Sequence, residues 1–185
     1  MNENLANNKP EDIDIAIIIG SKSDLTLAIE TVKVLKEFEL LYSLNVASAH
    51  RSPTYLKECI RNAENLNVKV FIAIAGMSAA LPGVIASETI IPVIGVPTNC
   101  NSLFGLDALF SIVQMPKHVP VATVSLGIAG AINAAILSVQ MIAIKDKKLK
   151  EKLKEYKYKI LKDVIHNDFK LQDKEVRKLK NTVYN

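Results

Sequence analysis

Short apolar runs alternate with helical segments along the first 144 residues of this 185-residue chain. The first run, Ile15–Ile19, holds only isoleucine and alanine, which is typical of a strand buried on both faces of a sheet. Later runs repeat this pattern, and each is bounded by glycine, proline or polar residues. The predicted strands are residues 15–19, 42–47, 68–75, 91–96 and 121–126.

The segments between and after these strands carry apolar residues at helical spacing. Buried strands that alternate with helices form a parallel sheet covered on both faces. The sequence therefore predicts an α/β fold, a three-layer α/β/α sandwich around a five-stranded parallel sheet. Ligands bind such sheets beyond the carboxyl ends of the strands. The predicted helices are residues 25–38, 53–65, 82–88, 106–113 and 129–144.

Three segments differ in composition. Residues 1–12 are polar and rich in asparagine, without the basic and apolar parts of a secretory signal, and we expect them to be disordered. Residues 13–144 form the predicted α/β domain. Residues 145–185 hold 14 Lys/Arg against 7 Asp/Glu, a net charge of +7, whereas the rest of the chain carries −3. The basic charge is therefore a property of the C-terminal extension.

The C-terminal extension is predicted to be helical because Leu149, Leu153, Tyr156, Ile160 and Val164 form one narrow apolar stripe. The sequence predicts a further helix around residues 174–179. A stripe of this kind packs on a neighbour, and we expect a contact with another subunit. Nucleic-acid binding is disfavoured, since no aromatic residues alternate with the basic ones in a stacking platform.

Several other classes of protein are disfavoured. Cys59 and Cys100 do not suggest a disulfide framework, and with three scattered histidines they do not form a metal-ligand pattern. Residues 119–144 lack any charge over 26 positions, long enough for a membrane span. Their prolines, glycines, Asn133 and Gln140 favour a strand, a turn and a buried helix instead. We therefore expect no metal, no membrane contact and a cytoplasmic protein.

The turn after the first strand is the first candidate site. Gly20 allows a sharp turn, and Ser23 or Asp24 can cap the following helix. Hydroxyls and free N–H groups at a helix N-terminus favour an anion such as a phosphate. Capping alone is the alternative explanation. On the functional interpretation Ser21 contacts phosphate and Asp24 accepts from sugar hydroxyls.

The turn after the second strand contains His50 and Arg51. A histidine at such a position can give a proton and later take it back near neutral pH. The planar guanidinium of Arg51 suits a phosphate. Ser52 is the predicted cap of the next helix, which begins with Pro53.

The turn after the third strand is built from small residues, from Gly76 to Gly83. Its side chains suit either close packing of helix on sheet or a backbone wall against a flat ligand ring, which Gly76 would allow to approach closely. Two loops could close the remaining sides of the pocket, residues 98–104 and residues 114–116.

Six short motifs occur in one order along the chain: GSKSD at 20–24, SAHR at 48–51, LPG at 81–83, PVIGVP at 92–97, GLDAL at 105–109 and SIVQMP at 111–116. Together they closely resemble the PurE family, the 5-(carboxyamino)imidazole ribonucleotide mutases of de novo purine synthesis. The resemblance covers residues 13–144. It implies a flavodoxin-like catalytic domain, a homo-octamer, and no metal or organic cofactor.

The resemblance also implies an activity: a carboxylate moves from the exocyclic nitrogen of an aminoimidazole ribonucleotide to its ring carbon. His50 becomes the general acid and then the general base. Ser21, Asp24 and Arg51 become ribonucleotide-binding residues. The other predicted substrate contacts are Gly20, Ser23, Ser48, Gly76, Met77, Ser78 and Leu81.

The chain departs from the family pattern in the third turn. The family usually has a histidine directly before Leu-Pro-Gly, where this chain has Ala80, and Gly-Gly-Ala where it has Gly76-Met77-Ser78. His50 is thus the only imidazole that these motifs supply. A sister class of carboxylases uses carbon dioxide directly and commonly has lysine after Ser-Ala-His. Arg51 and the Leu-Pro-Gly motif favour the mutase class.

Two functions of other kinds compete with the mutase. A serine-rich turn also suits the phosphate of a flavin, so a flavodoxin-like flavin carrier is one alternative. A non-catalytic nucleotide-binding or assembly subunit is the other, and the basic extension favours it.

Overall fold

The protein is described here by a computed structural model, which covers residues 12–99 and 103–183, with side chains as far as residue 167. The segment predicted to be disordered lies outside the described residues except for Asp12. The strands are β1 (Ile15–Ile19), β2 (Tyr42–Val46), β3 (Val70–Ala75), β4 (Val93–Pro97) and β5 (Ala122–Thr123). The helices are α1 (Leu25–Glu37), α2 (Pro53–Asn65), α3 (Leu81–Glu88), α4 (Leu106–Val113), α5 (Gly127–Ala143) and α6 (Lys147–Val183).

The five strands form one parallel sheet in the order β2-β1-β3-β4-β5. In the register of this sheet, Ile17 of β1 lies between Leu44 of β2 and Ile72 of β3. The strand order reverses beside β1, as in flavodoxin-like folds, and crevices at such a switch point bind ligands. The predicted fold class is confirmed.

Helices cover both faces of the sheet. On one face, Ile18 and Phe71 share a core with Leu56 of α2 and Ile85 of α3. On the other, the Thr31 hydroxyl of α1 donates to the carbonyl of Ala131 in α5 at 3.1 Å, which ties these two helices together. Each isoleucine buried in β1 contributes about 1.5–3 kcal/mol to the free energy of unfolding. The central strands therefore hold the turns at their carboxyl ends in place.

The last strand and helix differ from the prediction. β5 has two residues rather than six, although the N–H of Val124 still donates to the carbonyl of Gly95 at 3.1 Å. Gly127 has a positive φ of 65° and begins α5 two residues early. The α5 helix is also buried along one face only, since Ile128 and Asn133 are exposed. The uncharged composition of the segment had suggested burial on all sides.

The chain divides into two compact units between Ile142 and Ala143. In the second unit, α6 is one continuous helix, so residues 174–179 are part of it rather than a separate helix. Residues 147–183 contain no glycine or proline to interrupt it. The roles predicted for residues 1–12, 13–144 and 145–185 remain predictions.

A side chain caps the start of α6: an oxygen of Asp146 accepts from the N–H of Leu149 at 3.0 Å. Leu149 and Leu153 are buried, whereas Ile160 and Val164 farther along the predicted stripe are exposed. Within residues 12–99 and 103–183, no helix combines the length and the apolar character that crossing a membrane requires.

Candidate functional site

The turns that follow β1, β2 and β3 line one cavity of about 490 Å³ at the carboxyl edge of the sheet. We call residues 20–24 the first turn, residues 48–52 the second turn and residues 76–80 the third turn. All eleven residues that the sequence assigned to the site line this cavity, His50 and Leu81 included. The fold therefore brings together residues that lie up to 61 positions apart in the chain. The roles predicted for them remain predictions.

The first turn is held by hydrogen bonds between its own residues. An oxygen of Asp24 accepts from the N–H of Ser21 at 3.0 Å, and the Ser21 hydroxyl oxygen accepts from the N–H of Ser23 at 3.4 Å. These reciprocal bonds form a capping box around a single 3-10 turn, Lys22–Asp24, that precedes α1. The predicted capping of α1 itself by Ser23 or Asp24 is wrong, because neither side chain bonds to its first turn.

Asp24 is almost fully buried, and its carboxylate takes part in the capping box. Burial raises the pKa of this carboxyl above its usual 3.8. Hydrogen bonds from Ser21 and Ser23 and the positive charge of Arg51 act in the opposite direction but are weaker. Asp24 therefore stabilises the first turn rather than α1, and it also lines the cavity.

Hydrogen bonds connect residues within the second turn and connect the second turn to the first. The Ser48 hydroxyl oxygen accepts from the N–H of Arg51 at 3.2 Å and from its guanidinium Nε at 3.4 Å. The guanidinium Nη2 donates to the carbonyl of Gly20 at 3.0 Å. These contacts hold the exposed Arg51 side chain across the gap between β1 and β2. Three further N–H groups of the guanidinium remain to bind an anion in the cavity.

Ser52 also differs from its predicted role. It stands at the N-cap position of α2, but its hydroxyl bonds to Ser48 instead of the helix. It accepts from the Ser48 N–H at 3.0 Å, and donates to the Ser48 carbonyl at 3.3 Å. The second turn is thus closed by its two serines, with His50 and Arg51 between them. His50 is exposed and lines the cavity.

The third turn has a different construction. Met77 has a φ of 57°, in the left-handed region that glycine adopts more readily, and as a whole residue it is 62% exposed. Gly20 and Gly76 do not have positive φ, so the turn after β1 does not use the left-handed freedom of glycine. The close approach of a ligand ring at Gly76 remains a prediction. In the part of the chain that the structure describes, no side chain of residues 76–80 forms a hydrogen bond.

Four alanines that were not among the predicted site residues also line the cavity. A methyl group has no chemistry that a sequence pattern can identify, and only the position of these residues beside polar ones could have pointed to them. They are Ala49, Ala75, Ala79 and Ala80.

The two loops predicted to close the pocket do not line it, as far as they are described. Residues 98–99, 103–104 and 114–116 are all outside the lining, and residues 100–102 lie outside the described part of the chain. Met115 instead packs on α3: a Cβ atom on Gly83 would lie 3.2 Å from its sulfur and its methyl carbon. That segment therefore supports the helix behind the cavity.

Cys59 lies on α2, away from the cavity lining, and is buried as a free thiol. Burial raises the pKa of this thiol, which keeps it protonated and unreactive. Among the residues that the structure describes, no three or more His, Cys, Asp or Glu are grouped so that they could hold a metal ion. The chemistry available at the cavity is that of one imidazole, one guanidinium, several hydroxyls and one buried carboxyl.

Over most of its length the sequence is similar to several proteins named as mutases. N5-carboxyaminoimidazole ribonucleotide mutase of Pyrococcus abyssi is 53% identical over 143 residues, which cover 77% of this chain and 81% of that protein. The mutase of Methanocaldococcus jannaschii is 49% identical over 159 residues, 86% of this chain and 98% of that protein. The Escherichia coli mutase is 40% identical over 153 residues, 83% of this chain and 90% of that protein.

A family model and a solved structure agree with these relatives. Treponema denticola PurE has a TM-score of 0.78 and 29% sequence identity to this chain, and the match covers 85% of this chain and 97% of that one. The family model described as AIR carboxylase matches residues 14–163. This range includes the three turns of the cavity. The chain belongs to the AIR carboxylase family.

Proposed function

We propose that this chain is an isomerase of de novo purine biosynthesis, which converts 5-(carboxyamino)imidazole ribonucleotide to 4-carboxy-5-aminoimidazole ribonucleotide. The relatives cited above are mutases of this substrate at 40–53% identity. The observation that carries the residue assignments is the cavity itself, in which the imidazole of His50 and the oriented guanidinium of Arg51 come from neighbouring residues of the second turn. A phosphate group and a reacting ring can therefore be bound at one place.

The first and second turns bind the ribonucleotide end of the substrate in this proposal. Arg51 pairs with the phosphate through the N–H groups that Ser48 and Gly20 do not use. The Ser21 and Ser23 hydroxyls donate to phosphate or sugar oxygens. Asp24 holds the first turn in shape and accepts from a sugar hydroxyl. Gly20 and Ser48 complete this end of the cavity.

His50 moves the protons. Its imidazolium gives a proton to the exocyclic nitrogen as the bond from that nitrogen to the carboxylate breaks and carbon dioxide is released. The electron-rich ring carbon then attacks carbon dioxide and forms the new carbon–carbon bond. The proton on that ring carbon returns to the imidazole, so no net proton is consumed. Holding carbon dioxide beside the ring is the main demand on the protein, because the second step requires both in place.

The third turn forms the wall beside the ring. Gly76, Ser78 and Leu81 line the cavity there, with Met77 at its mouth. The side chains are small, so the flat heterocycle can lie close to the backbone. No metal or organic cofactor takes part in the proposed steps, since proton transfer and proximity suffice for them.

A substrate comparison tests the proposed function against the alternative, a carboxylase that uses carbon dioxide directly. The purified full chain is given either the carbamate ribonucleotide or 5-aminoimidazole ribonucleotide with bicarbonate, and the formation of the carboxylated ring is followed. We expect the carbamate to be consumed much faster. Faster consumption of the free aminoimidazole with bicarbonate would instead support the carboxylase. The relatives' names favour the mutase.

The proposed assembly is a homo-octamer in the cytoplasm, without nucleic-acid or membrane contacts. One surface of α4 supports self-association. Leu106, Phe110 and Val113 recur on one face of this helix, and each remains about half exposed. The preceding Phe104 is 80% exposed. Apolar side chains grouped in this way are typical of a protein–protein interface. The exposed Ile160 and Val164 of α6 support a second subunit contact through the basic extension.

A charge placed on the α4 surface tests the assembly. We expect the wild type to sediment with the mass of eight chains, and Phe110→Glu to sediment as smaller species, because a carboxylate cannot be buried there without a partner. Arg61→Glu on the exposed surface of α2 is the control for an added negative charge. Unchanged sedimentation of Phe110→Glu would exclude α4 as the contact.

A further inference from the structure

Met77 is the one bulky side chain in the segment that joins β3 to α3. Residues 75–80 otherwise carry only hydrogen, methyl or hydroxymethyl side chains. Met77 lines the cavity and, as a whole residue, is 62% exposed. Because it both lines the cavity and is open to solvent, Met77 lies at the mouth of the cavity.

The backbone at Met77 would suit glycine better. Its φ of 57° lies in the left-handed region, where an L side chain crowds its own backbone. Four other non-glycine residues of the described chain have a positive φ. Glu39 and Asn67 lie two positions beyond the last residues of α1 and α2, where left-handed residues commonly terminate helices. Phe104 and His118 lie in loops outside the cavity lining, so Met77 is the one of the five that lines the cavity. Met77 follows a strand and terminates no helix. A strained residue in a cavity lining, without such a structural reason, points to a function of its side chain.

We propose that Met77 retains carbon dioxide in the cavity during the reaction, as an apolar cover over the ring and the released gas. This inference rests on the proposed function. The thioether is flexible and polarisable, and it makes favourable contacts with aromatic rings. Ala79 and Ala80 line the cavity with methyl groups, and Met77 is the one long apolar side chain of the same segment. Met77 thus determines how often carbon dioxide is recaptured rather than lost.

An isotope experiment with the full chain measures this retention directly. The probe is the carbamate ribonucleotide with a ¹³C-labelled carboxylate, in a buffer that contains unlabelled bicarbonate. The measured quantity is the fraction of ¹³C in the carboxylate of the product. Met77→Gly removes the cover and relieves the backbone, and Met77→Leu keeps an apolar side chain of similar size. Glu39→Gly, outside the cavity lining, is the matched control for relief of a left-handed residue.

We expect Met77→Gly to lose at least threefold more label than the wild type, while its melting temperature stays equal or rises. Met77→Leu should retain label nearly as well as the wild type, and Glu39→Gly should match it. Equal retention in Met77→Gly and the wild type would overturn the inference. A lower melting temperature in Met77→Gly would also overturn it, because the side chain would then serve stability.

The wild type separates this inference from the proposed function. If it consumes the carbamate but its product is largely unlabelled, carbon dioxide is not retained, and the role of Met77 fails while the activity stands. If it does not consume the carbamate at all, the proposed function fails and the inference fails with it.

Discussion

The three turns of the cavity are built in two different ways. The first and second turns are fixed by hydrogen bonds: Ser21 to Asp24, Ser48 to Ser52, and Arg51 to the carbonyl of Gly20. The third turn consists of small residues around the strained and exposed Met77, and no side chain of residues 76–80 takes part in a hydrogen bond among the described residues. The first and second turns therefore form what we call the rigid side of the cavity.

This difference matches the two parts of a ribonucleotide. A phosphate and a sugar present oxygens at fixed positions, and preorganised donors bind them with little loss of conformational entropy. A heterocycle that loses a carboxylate at one atom and gains it at another needs a wall that tolerates both forms. The rigid side should therefore determine binding and proton transfer, and the third turn should determine how carbon dioxide is partitioned.

The largest effect is expected from His50→Asn in the rigid side. Asparagine keeps the size and a hydrogen-bonding group but cannot exchange a proton. We expect kcat to fall about 10²- to 10⁴-fold, while the Kd of the product ribonucleotide changes little. Steady-state kinetics and isothermal titration measure the two quantities. His118→Asn, exposed and outside the cavity lining, is the control. A wild-type kcat in His50→Asn would remove the imidazole from the mechanism.

Arg51→Ala should have the next largest effect, on binding. The variant loses the charged hydrogen bonds to phosphate, which predicts a Kd for the ribonucleotide about 10- to 100-fold weaker. Added salt should weaken binding to the wild type more than to the variant, because salt screens the ion pair. Arg61→Ala on exposed α2 is the matched control. An unchanged Kd would contradict the phosphate assignment and the division of the cavity into two sides.

The sequence predicted the parts of this molecule that depend on local pattern. Buried strands such as Ile15–Ile19 are evident from β-branched composition, and their alternation with helices predicts the parallel sheet. The carboxyl ends of parallel strands meet at one edge, so the turns around Ser21, His50 and Gly76 could be placed together. The position of each turn directly after a strand was sufficient to place it at the site.

What the sequence did not predict depends on tertiary contacts. The hydroxyl of Ser52 bonds to Ser48 rather than to α2, a choice made by the conformation of the whole turn. The positive φ belongs to Met77 and not to the neighbouring Gly76, which residue propensity alone would have selected. The composition of residues 121–126 would suit a longer strand than the two residues of β5. The length of β5 is therefore set by the path of the chain away from the sheet and not by local composition.

Ser48→Ala tests whether the rigid side acts by orienting the guanidinium of Arg51. Ser48 accepts two hydrogen bonds from Arg51, so its loss should let the guanidinium move without removing its charge. We expect KM for the ribonucleotide to rise about threefold to tenfold with kcat nearly unchanged. Ser87→Ala, which removes an exposed hydroxyl on α3, is the control. A fall in kcat with no change in KM would place Ser48 at the reacting atoms instead.

The smallest effect concerns the pH dependence of stability through Asp24. Because burial raises its pKa above 3.8, the native protein holds this proton more tightly than the unfolded chain does. The group therefore stabilises the fold at low pH, and this contribution is lost as the pH rises through the native pKa. Asparagine at this position has no such titration.

Urea unfolding of the wild type and Asp24→Asn over a pH series measures this contribution as a difference. The free energy of unfolding of the wild type, relative to that of the variant, should fall as the pH rises from about 3.8. Asp163→Asn on the exposed surface of α6 is the control for loss of a carboxylate. A difference that instead rises with pH would mean that hydrogen bonds and Arg51 outweigh burial. The native protein would then favour the ionised form of Asp24. The hydrogen bonds from Ser21 and Ser23 would be the dominant influence on the pKa of this carboxyl.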